Sequence, residues 1–388
     1  MRPRIALLLT LVLAASATAI AQDSAAPNLP TAAQTMSHPV GSSEANITQL
    51  AQSQAAANSH VGPRSVPGRV IPVPTDVSPE LQTAIAAPYS GFGNPNPPRT
   101  NAEWKQEVAT SAAAFAASVR RLRERLGVSS QETTIGGVHA YILQPKEIPL
   151  KNRNRLLFNM HGGAWVFFPG ESGTEEAVLM AAYGKFKVIS IDYRMAPDFP
   201  YPAAMDDAMT AWKSALRMVK PANIGVFGTS AGGTMTLALV LRAKKEGLPL
   251  PGAIAPGSPL ADADQSKAGD SHRTNEWLDN VLVSVDGPTV QGMNQLYFAG
   301  HDLKDPQLSP IYGDFHGFPP AILTTGTRDV LLSDTVRIHR KLREAGVDAE
   351  LQVFEGMSHA QYVLAPTAPE SKEAFEEIAR FFDTHLGK

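Results

Sequence analysis

The segment Asn223-Ile-Gly-Val-Phe-Gly-Thr-Ser-Ala-Gly-Gly233 decides the architecture of this chain. Its first part, Ile224–Phe227, is a short apolar run of mostly β-prone residues, which is typical of a buried central strand. Residues 237–245, which are first apolar and then basic, predict a helix that stops at Gly247. Between the two lies the pentapeptide Gly228–Gly232, of the form G-x-S-x-G. The pattern therefore predicts a strand, a sharp turn and a helix in that order.

The pentapeptide in this context is typical of a strained turn that presents a serine above a sheet. A Cβ atom at Gly228 or Gly232 is expected to collide with the neighbouring strand or helix. Ser230 would stand at the helix N-terminus, where free N–H groups and the helix dipole favour negative charge. A chance match occurs in roughly one in seven chains of this length and glycine content, so other segments must support the interpretation.

Composition excludes several classes of protein. The chain has 388 residues, 43% of them hydrophobic, and a formal net charge of −3, as in ordinary globular proteins. Its charges are scattered and nothing is strongly basic, which argues against nucleic acid as a partner. There are 0 cysteines, so disulfides, thiolate metal sites and cysteine catalysis are excluded.

The N-terminal residues resemble an export signal. Arg2 and Arg4 precede an uncharged, apolar run that ends at an A-x-A cleavage pattern, so we predict a signal peptide over residues 1–21. An uncleaved membrane anchor is the alternative, but the run is short and rich in small residues. We therefore expect an exported protein without a stable membrane anchor, periplasmic or extracellular if the source is bacterial. Residues 22–77, rich in Ala, Pro, Ser and Gln, predict a disordered leader.

Two helices are predicted ahead of the main domain, within residues 78–127. The longer one, Asn101–Leu126, has apolar residues at helical spacing and ends at Gly127. The pair is interpreted as an N-terminal cap in which Trp104, Val108 and Phe115 contact the core or the substrate. Plain surface helices remain an alternative.

Residues 128–388 are predicted to form an α/β domain, because strand-like and helix-like patterns alternate along them. This rhythm favours a mainly parallel sheet with helices on both faces. The insertion Pro256–Pro310 is longer than a crossover needs, and its part at about residues 264–300 is a candidate second cap element. The predicted strands are Val138–Leu143, Arg155–Asn159, Val188–Asp192, Ile224–Phe227, Ala253–Ala255, Ala321–Thr325 and Glu350–Phe354.

Polar residues that directly follow strands are site candidates, because ligands bind at the carboxyl ends of strands in such sheets. His161-Gly162-Gly163 could point backbone N–H groups at a ligand, with His161 orienting that loop. Asp329 is placed to accept a hydrogen bond from a histidine, whereas Asp334 could serve instead or cap a helix. His359 follows the last strand and could take a serine proton. Serine, acid and histidine in this order are expected of an α/β-hydrolase.

The motifs from about Leu81 onward resemble those of the hormone-sensitive-lipase-like family of bacterial carboxylesterases, in its GTSAG branch. Two departures occur: Ala164 stands where the family has a third glycine, and Asp198 where it has glutamate. The matching segments are His161–Trp165, Asp192–Asp198 with Tyr201–Ala204, Gly228–Gly233, Leu308–Pro310 and Gly317–Pro320.

The resemblance implies a serine carboxylesterase that acts on short- to medium-chain acyl esters through an acyl-enzyme. Ser230 would be the nucleophile, His359 the base and Asp329 its orienter. The N–H groups of Gly162, Gly163 and Ala231 would form the oxyanion hole. No cofactor or metal is implied, and the partner is a small-molecule ester or lactone.

Two other functions are alternatives. A lactonase of the same fold would need the same chemistry, because lactones are cyclic esters. A non-catalytic binding protein on a hydrolase fold would be expected to have a broken triad, and this triad is intact. Nucleotide-binding motifs do not follow any predicted strand. The oligomeric state, a homodimer included, is left open by the sequence.

Overall fold

The computed structural model describes residues 70–264 and 269–387. The predicted signal peptide and most of the predicted leader lie outside the described residues. Val73 and Val77, near the end of that leader, pack against the core. The folded domain therefore begins before the predicted boundary at residue 78. Among the described helices none is long and apolar enough to span a bilayer.

Eight strands form one sheet in the order β1-β2-β4-β3-β5-β6-β7-β8. The first two form a hairpin, and β2 lies antiparallel to β4, whereas the pairs from β4 to β8 are parallel. The predicted α/β-hydrolase fold with a mainly parallel sheet is therefore confirmed. The strands are β1 Val128–Ile135, β2 Val138–Pro145, β3 Leu156–Met160, β4 Val188–Ile191, β5 Ile224–Thr229, β6 Ala253–Gly257, β7 Ala321–Gly326 and β8 Ala349–Phe354.

The central strands read as continuous apolar runs because both of their faces are buried. Phe158, Val226 and Leu323 point into one apolar core, whereas their neighbours Leu157 and Phe227 point into the other. This alternation follows from the two-residue repeat of a strand. Both cores must be covered by helices, which fixes the layered architecture.

Ten helices are described, and they cover the two cores unequally. Buried residues of α4, α5 and α8 belong to the larger core, while those of α3 and α10 belong to the smaller one. The helices are α1 Pro79–Ile85, α2 Asn101–Leu126, α3 Glu175–Gly184, α4 Ala203–Met218, α5 Ala231–Lys245, α6 Ser271–Thr274, α7 Pro288–Phe298, α8 Leu332–Glu344, α9 Gln361–Leu364 and α10 Pro369–His385.

One strand of the sheet was not predicted. In β1, only Val128 and Ile135 at its two ends are buried, and the residues between them are polar and largely exposed. The strand therefore lacks the alternating apolar pattern that would identify it. It is held instead by its hairpin with β2, closed by Gly136 and Gly137 at positive φ.

The N-terminal helix α2 has the predicted bounds Asn101–Leu126. It begins with a capping box formed by Thr100 and Glu103, and it ends at Gly127, whose φ is 67°. Trp104 is buried, with its indole against Gly292 of α7 and its ring centroid 6.2 Å from that of Phe167. The helix thus joins the second cap element to the loop that follows β3.

We predict that Trp104→Ala destabilises the protein by about 3–5 kcal/mol, because it removes a large buried side chain between two elements. Leu150→Ala is the matched control, since Leu150 is 77% exposed, and it should change the melting temperature little. Thermal unfolding of both variants measures the difference. Equal melting temperatures would show that α2 does not depend on Trp104 for its packing.

Candidate active site

Ser230 occupies a strained turn between β5 and α5. Its φ and ψ are 62° and −123°, which non-glycine residues seldom adopt. A Cβ atom at Gly228 would lie 2.1 Å from the carbonyl oxygen of Met160, and one at Gly232 would lie 1.9 Å from the same oxygen. The predicted steric requirement for both glycines is therefore confirmed. The turn touches the backbone at the end of β3.

The loop after β3 lies beside this turn. A Cβ atom at Gly162 would lie 3.4 Å from the Cβ of Ser230. Within residues 70–264 and 269–387, the N–H groups of Gly162, Gly163 and Ala231 donate no hydrogen bond. All three groups are thus available to a ligand atom beside Ser230, as an oxyanion site requires.

His161 supports this loop. Its ring stacks on Tyr193 with centroids 4.3 Å apart, and its Nδ1 lies 2.7 Å from the carbonyl oxygen of Gly162. The Tyr193 hydroxyl donates to the carbonyl oxygen of His161 at 2.7 Å. Burial lowers the pKa of His161, which keeps the ring neutral. These contacts fit the predicted orienting role.

The segment after β4 contacts the loop after β3 through a backbone hydrogen bond. The N–H of Ala196 donates to the carbonyl oxygen of Trp165 at 3.0 Å. Trp165 in turn stacks on Tyr297 of α7, with centroids 4.4 Å apart and ring planes 2° from parallel. Asp198, one of the two departures from the family pattern, pairs with Lys105 of α2 at 2.5 Å, and both side chains are about half exposed.

Asp329 and His359 form a buried pair. His359 Nδ1 and Asp329 Oδ1 are 3.1 Å apart. The Oδ2 atom of Asp329 accepts from the hydroxyls of Ser258 at 2.5 Å and Thr325 at 2.9 Å. His359 Nε2 is buried and has no partner among the described residues. The imidazole is therefore oriented through one nitrogen, and the other is free to exchange a proton.

The two charges of this pair shift each other's pKa. Burial lowers the pKa of His359, but the charge and hydrogen bond of Asp329 and the charge of Asp279 outweigh it, so the pKa is raised. Burial raises the pKa of Asp329, but His359 and the donors around the carboxylate outweigh it, so that pKa is lowered. The pair therefore favours an imidazolium next to a carboxylate.

Asp334 does not cap a helix, so that prediction was wrong. The N-cap of α8 is Leu331, and Asp334 lies inside the first turn. Its carboxylate is fully buried, accepts from the N–H of Ala261 at 3.2 Å and lies 3.4 Å from His272 Nε2. The difference arises because the helix begins at Leu332, three residues earlier than an N-cap at Asp334 implies. Of the two aspartates, only Asp329 contacts His359.

Three further polar residues near the site were not predicted. Ser258 directly follows β6, so the rule applied to the other strands would have found it. Glu176 is buried and accepts from the hydroxyl of Thr229, next to Ser230, at 2.6 Å, and burial raises its pKa to about 7. Asp279 lies in the insertion, where no sequence pattern marks it. Among the described residues, no group of three or more His, Asp or Glu side chains is arranged to hold a metal ion.

Comparison with known proteins agrees with this geometry. A family model of the alpha/beta hydrolase fold matches residues 157–363, more than half of the chain. An esterase of Acinetobacter venetianus is 31% identical over 230 residues, which are 58% of this chain and 74% of the relative. An acetyl-hydrolase of Streptomyces hygroscopicus is 29% identical over 241 residues, 62% of this chain and 79% of that protein.

Solved structures agree as well. The crystal structure of esterase E25 is 40% identical and has a TM-score of 0.79, over 84% of this chain and 99% of that one. An esterase of the bacterial hormone-sensitive lipase family is 27% identical with a TM-score of 0.66, over 80% and 99% of the two chains.

The chain belongs to the α/β-hydrolase family. Within that family it is a carboxylic ester hydrolase of the hormone-sensitive-lipase-like group, and the predicted family and reaction class are confirmed.

We predict that Asp329→Asn lowers the pKa of His359, because burial then acts without the opposing charge. The pKa can be followed by NMR titration of ¹³C-labelled histidine, with the His359 signal assigned from a His359→Gln variant. Asp334→Asn is the matched control, since Asp334 is equally buried but does not contact His359. An unchanged His359 titration in Asp329→Asn would contradict the pairing.

Proposed function

We propose that the chain hydrolyses short- to medium-chain acyl esters through an acyl-enzyme formed on Ser230. The observation that carries the proposal is the Asp329–His359 pair, which follows strands β7 and β8, while the strained Ser230 follows β5. Parallel strands bring their carboxyl ends to one edge of the sheet. All three residues of the proposed triad therefore lie at the same edge.

In the proposed mechanism, His359 Nε2 takes the proton of the Ser230 hydroxyl as its oxygen attacks the ester carbonyl. Asp329 holds the Nδ1–H tautomer and stabilises the imidazolium. The N–H groups of Gly162, Gly163 and Ala231 stabilise the developing oxyanion. His359 then protonates the leaving alcohol, and water releases the acid by the same steps in reverse.

Aromatic packing around the oxyanion loop supports the proposed acyl size. Phe167 contacts Trp104 and Phe92 edge-on, with centroids 6.2 and 5.8 Å away, and Trp165 is stacked on Tyr297. These rings fill space beside the loop. An acyl chain gains about 0.8 kcal/mol for each buried CH₂ only while room remains. The acetyl-hydrolase named among the relatives is consistent with a short acyl group.

We predict that Ser230→Ala lowers kcat for ester hydrolysis by at least ~10³-fold while the fold is kept, because the nucleophile is lost. Turnover of p-nitrophenyl butyrate and circular dichroism measure the two effects. Ser214→Ala is the control, since Ser214 is also buried and its hydroxyl accepts from Arg217, on the outer helix α4. A folded Ser230→Ala variant with near wild-type turnover would overturn the acyl-enzyme mechanism.

We also predict that kcat/KM peaks between acetyl and octanoyl p-nitrophenyl esters and falls steeply for longer chains. A series of esters graded by acyl length, with lactones of matched carbon number run alongside, measures this preference. A rate that kept rising to palmitoyl would contradict the predicted limit on acyl length. Lactone turnover that exceeded that of every linear ester would favour the lactonase alternative.

A further inference from the structure

Asp279 is a fully buried carboxylate that the mechanism above does not use. It lies in the insertion between β6 and β7, between α6 and α7. Its Oδ1 accepts from the N–H groups of Val281 at 2.8 Å and Leu282 at 3.0 Å, in its own loop. Its Oδ2 accepts from the N–H groups of Val330 and His359, each at 3.0 Å.

The contacts of Oδ2 join the two loops that carry the acid and the base. Val330 directly follows Asp329, and the other donor is the backbone of His359 itself. One oxygen atom therefore sets the spacing between the loop after β7 and the loop after β8. The ring and carboxylate of the proposed acid–base pair are attached to these same two backbones.

Asn275, four residues before Asp279, binds the loop after β7, which carries Asp329 and is called the acid loop below. It binds two backbone carbonyl groups of that loop. Its Nδ2 donates to the carbonyl oxygens of Thr327 at 3.1 Å and Asp329 at 2.9 Å. The segment 275–280 thus binds both the N–H and the C=O groups of that loop.

Asn280 completes the connection on the side of the base. Its N–H donates to the hydroxyl of Ser358 at 3.1 Å, and its Oδ1 accepts from Gln361 at 3.0 Å. Its Nδ2 also donates to the carbonyl oxygens of Ala84, in the last turn of α1, and of Ala87, just after that helix. Residues on both sides of His359 are therefore tied to the insertion.

We propose that Asp279, with Asn275, is a positioning residue of the insertion that fixes His359 relative to Asp329. The inference rests on the proposed role of these two residues in ester hydrolysis. Asp279 does not touch the reacting atoms. It acts by holding the backbones of the acid and the base, so that the insertion takes part in the geometry of the triad.

The carboxylate of Asp279 accepts from four backbone N–H groups, and moving either loop would break at least one of these hydrogen bonds. Each N–H left without a partner in the core would lose its hydration without gaining a hydrogen bond, which is unfavourable. The loops after β7 and β8 are therefore held at one spacing while the substrate binds and leaves. Displacement of a catalytic group by about 1 Å can lower a rate by 10²-fold, which sets the expected effect.

The charge of Asp279 affects the pKa of His359, which a residue that only packed against the loops would not do. Burial and the charge of Asp329 raise the pKa of Asp279 to about 6, so it is ionised above that pH. Two carboxylates, Asp329 and Asp279, then act on the single imidazole and favour its protonated form. Removing one of them should lower the pKa of His359.

The test is Asp279→Asn in the full chain, assayed for kcat, KM and the pH dependence of kcat/KM with p-nitrophenyl butyrate. An amide has about the same size, but its NH₂ group would face two of the N–H donors. We expect kcat to fall about 10- to 100-fold with KM nearly unchanged. The acidic limb of kcat/KM should move to lower pH by about half a pH unit or more.

Asp334→Asn is the matched control, because Asp334 is also fully buried and accepts a backbone N–H, but from Ala261. It should lower the melting temperature and leave the pH midpoint where it is. If Asp279→Asn behaved like this control, the positioning role would be overturned. Both variants are compared at a temperature well below unfolding, so that loss of folded protein is not counted as loss of kcat.

A second variant tests the proposal if Asp279→Asn does not fold. Asn275→Ala removes the two donors to the acid loop without changing charge, so kcat should fall with the pH midpoint unchanged. A folded Asn275→Ala variant with wild-type kcat would contradict the proposal. Failure of the proposed function is separate, since it would appear as turnover in Ser230→Ala, whatever the Asp279 and Asn275 variants show.

Discussion

The structure of the site depends on one close approach, that of the turn at Ser230 to the end of β3. The carbonyl oxygen of Met160 lies where side chains at Gly228 and Gly232 would have to be. This contact fixes the turn after β5 against the loop after β3. The serine and the loop with free N–H groups therefore stay together, although 67 residues separate His161 from Gly228 along the chain. Strain in the serine backbone persists because the surrounding strands determine it.

The buried charges of the loops after β7 and β8 are held by a second set of contacts, made by side-chain and backbone donors rather than by the glycines of the turn. Asp329, Asp279 and His359 all lie away from solvent, and their carboxylates are surrounded by hydroxyl and N–H donors. Such donors replace the water that burial removes, which lets a carboxylate stay ionised in the interior. The fold thus prepares the proposed acid–base pair before a substrate arrives, and the preorganisation lies in hydrogen bonds between loops.

Much of this could be predicted from sequence, because the relevant patterns are local. Residues that follow strands are found by locating the strands, and this led to Ser230, Asp329, His359 and the loop at Gly162. Hairpin strand β1 could not be found, since its middle is polar and exposed. Asp279 could not be found either, because its importance comes from contacts 51 and 80 residues away along the chain. Asp334 was misjudged for a related reason: its partners Ala261 and His272 belong to the insertion.

The stack of Trp165 on Tyr297 limits how the insertion can be exchanged between related enzymes. One ring belongs to the loop beside the serine and the other to the insertion, and the planes are nearly parallel. A chimera that took this insertion from another hydrolase would bring a different surface to the indole. The graft would have to carry an aromatic residue at that place, or the recipient loop would need redesign. The insertion is therefore not an exchangeable module, and transplanting specificity between such proteins requires moving loop and insertion as one piece.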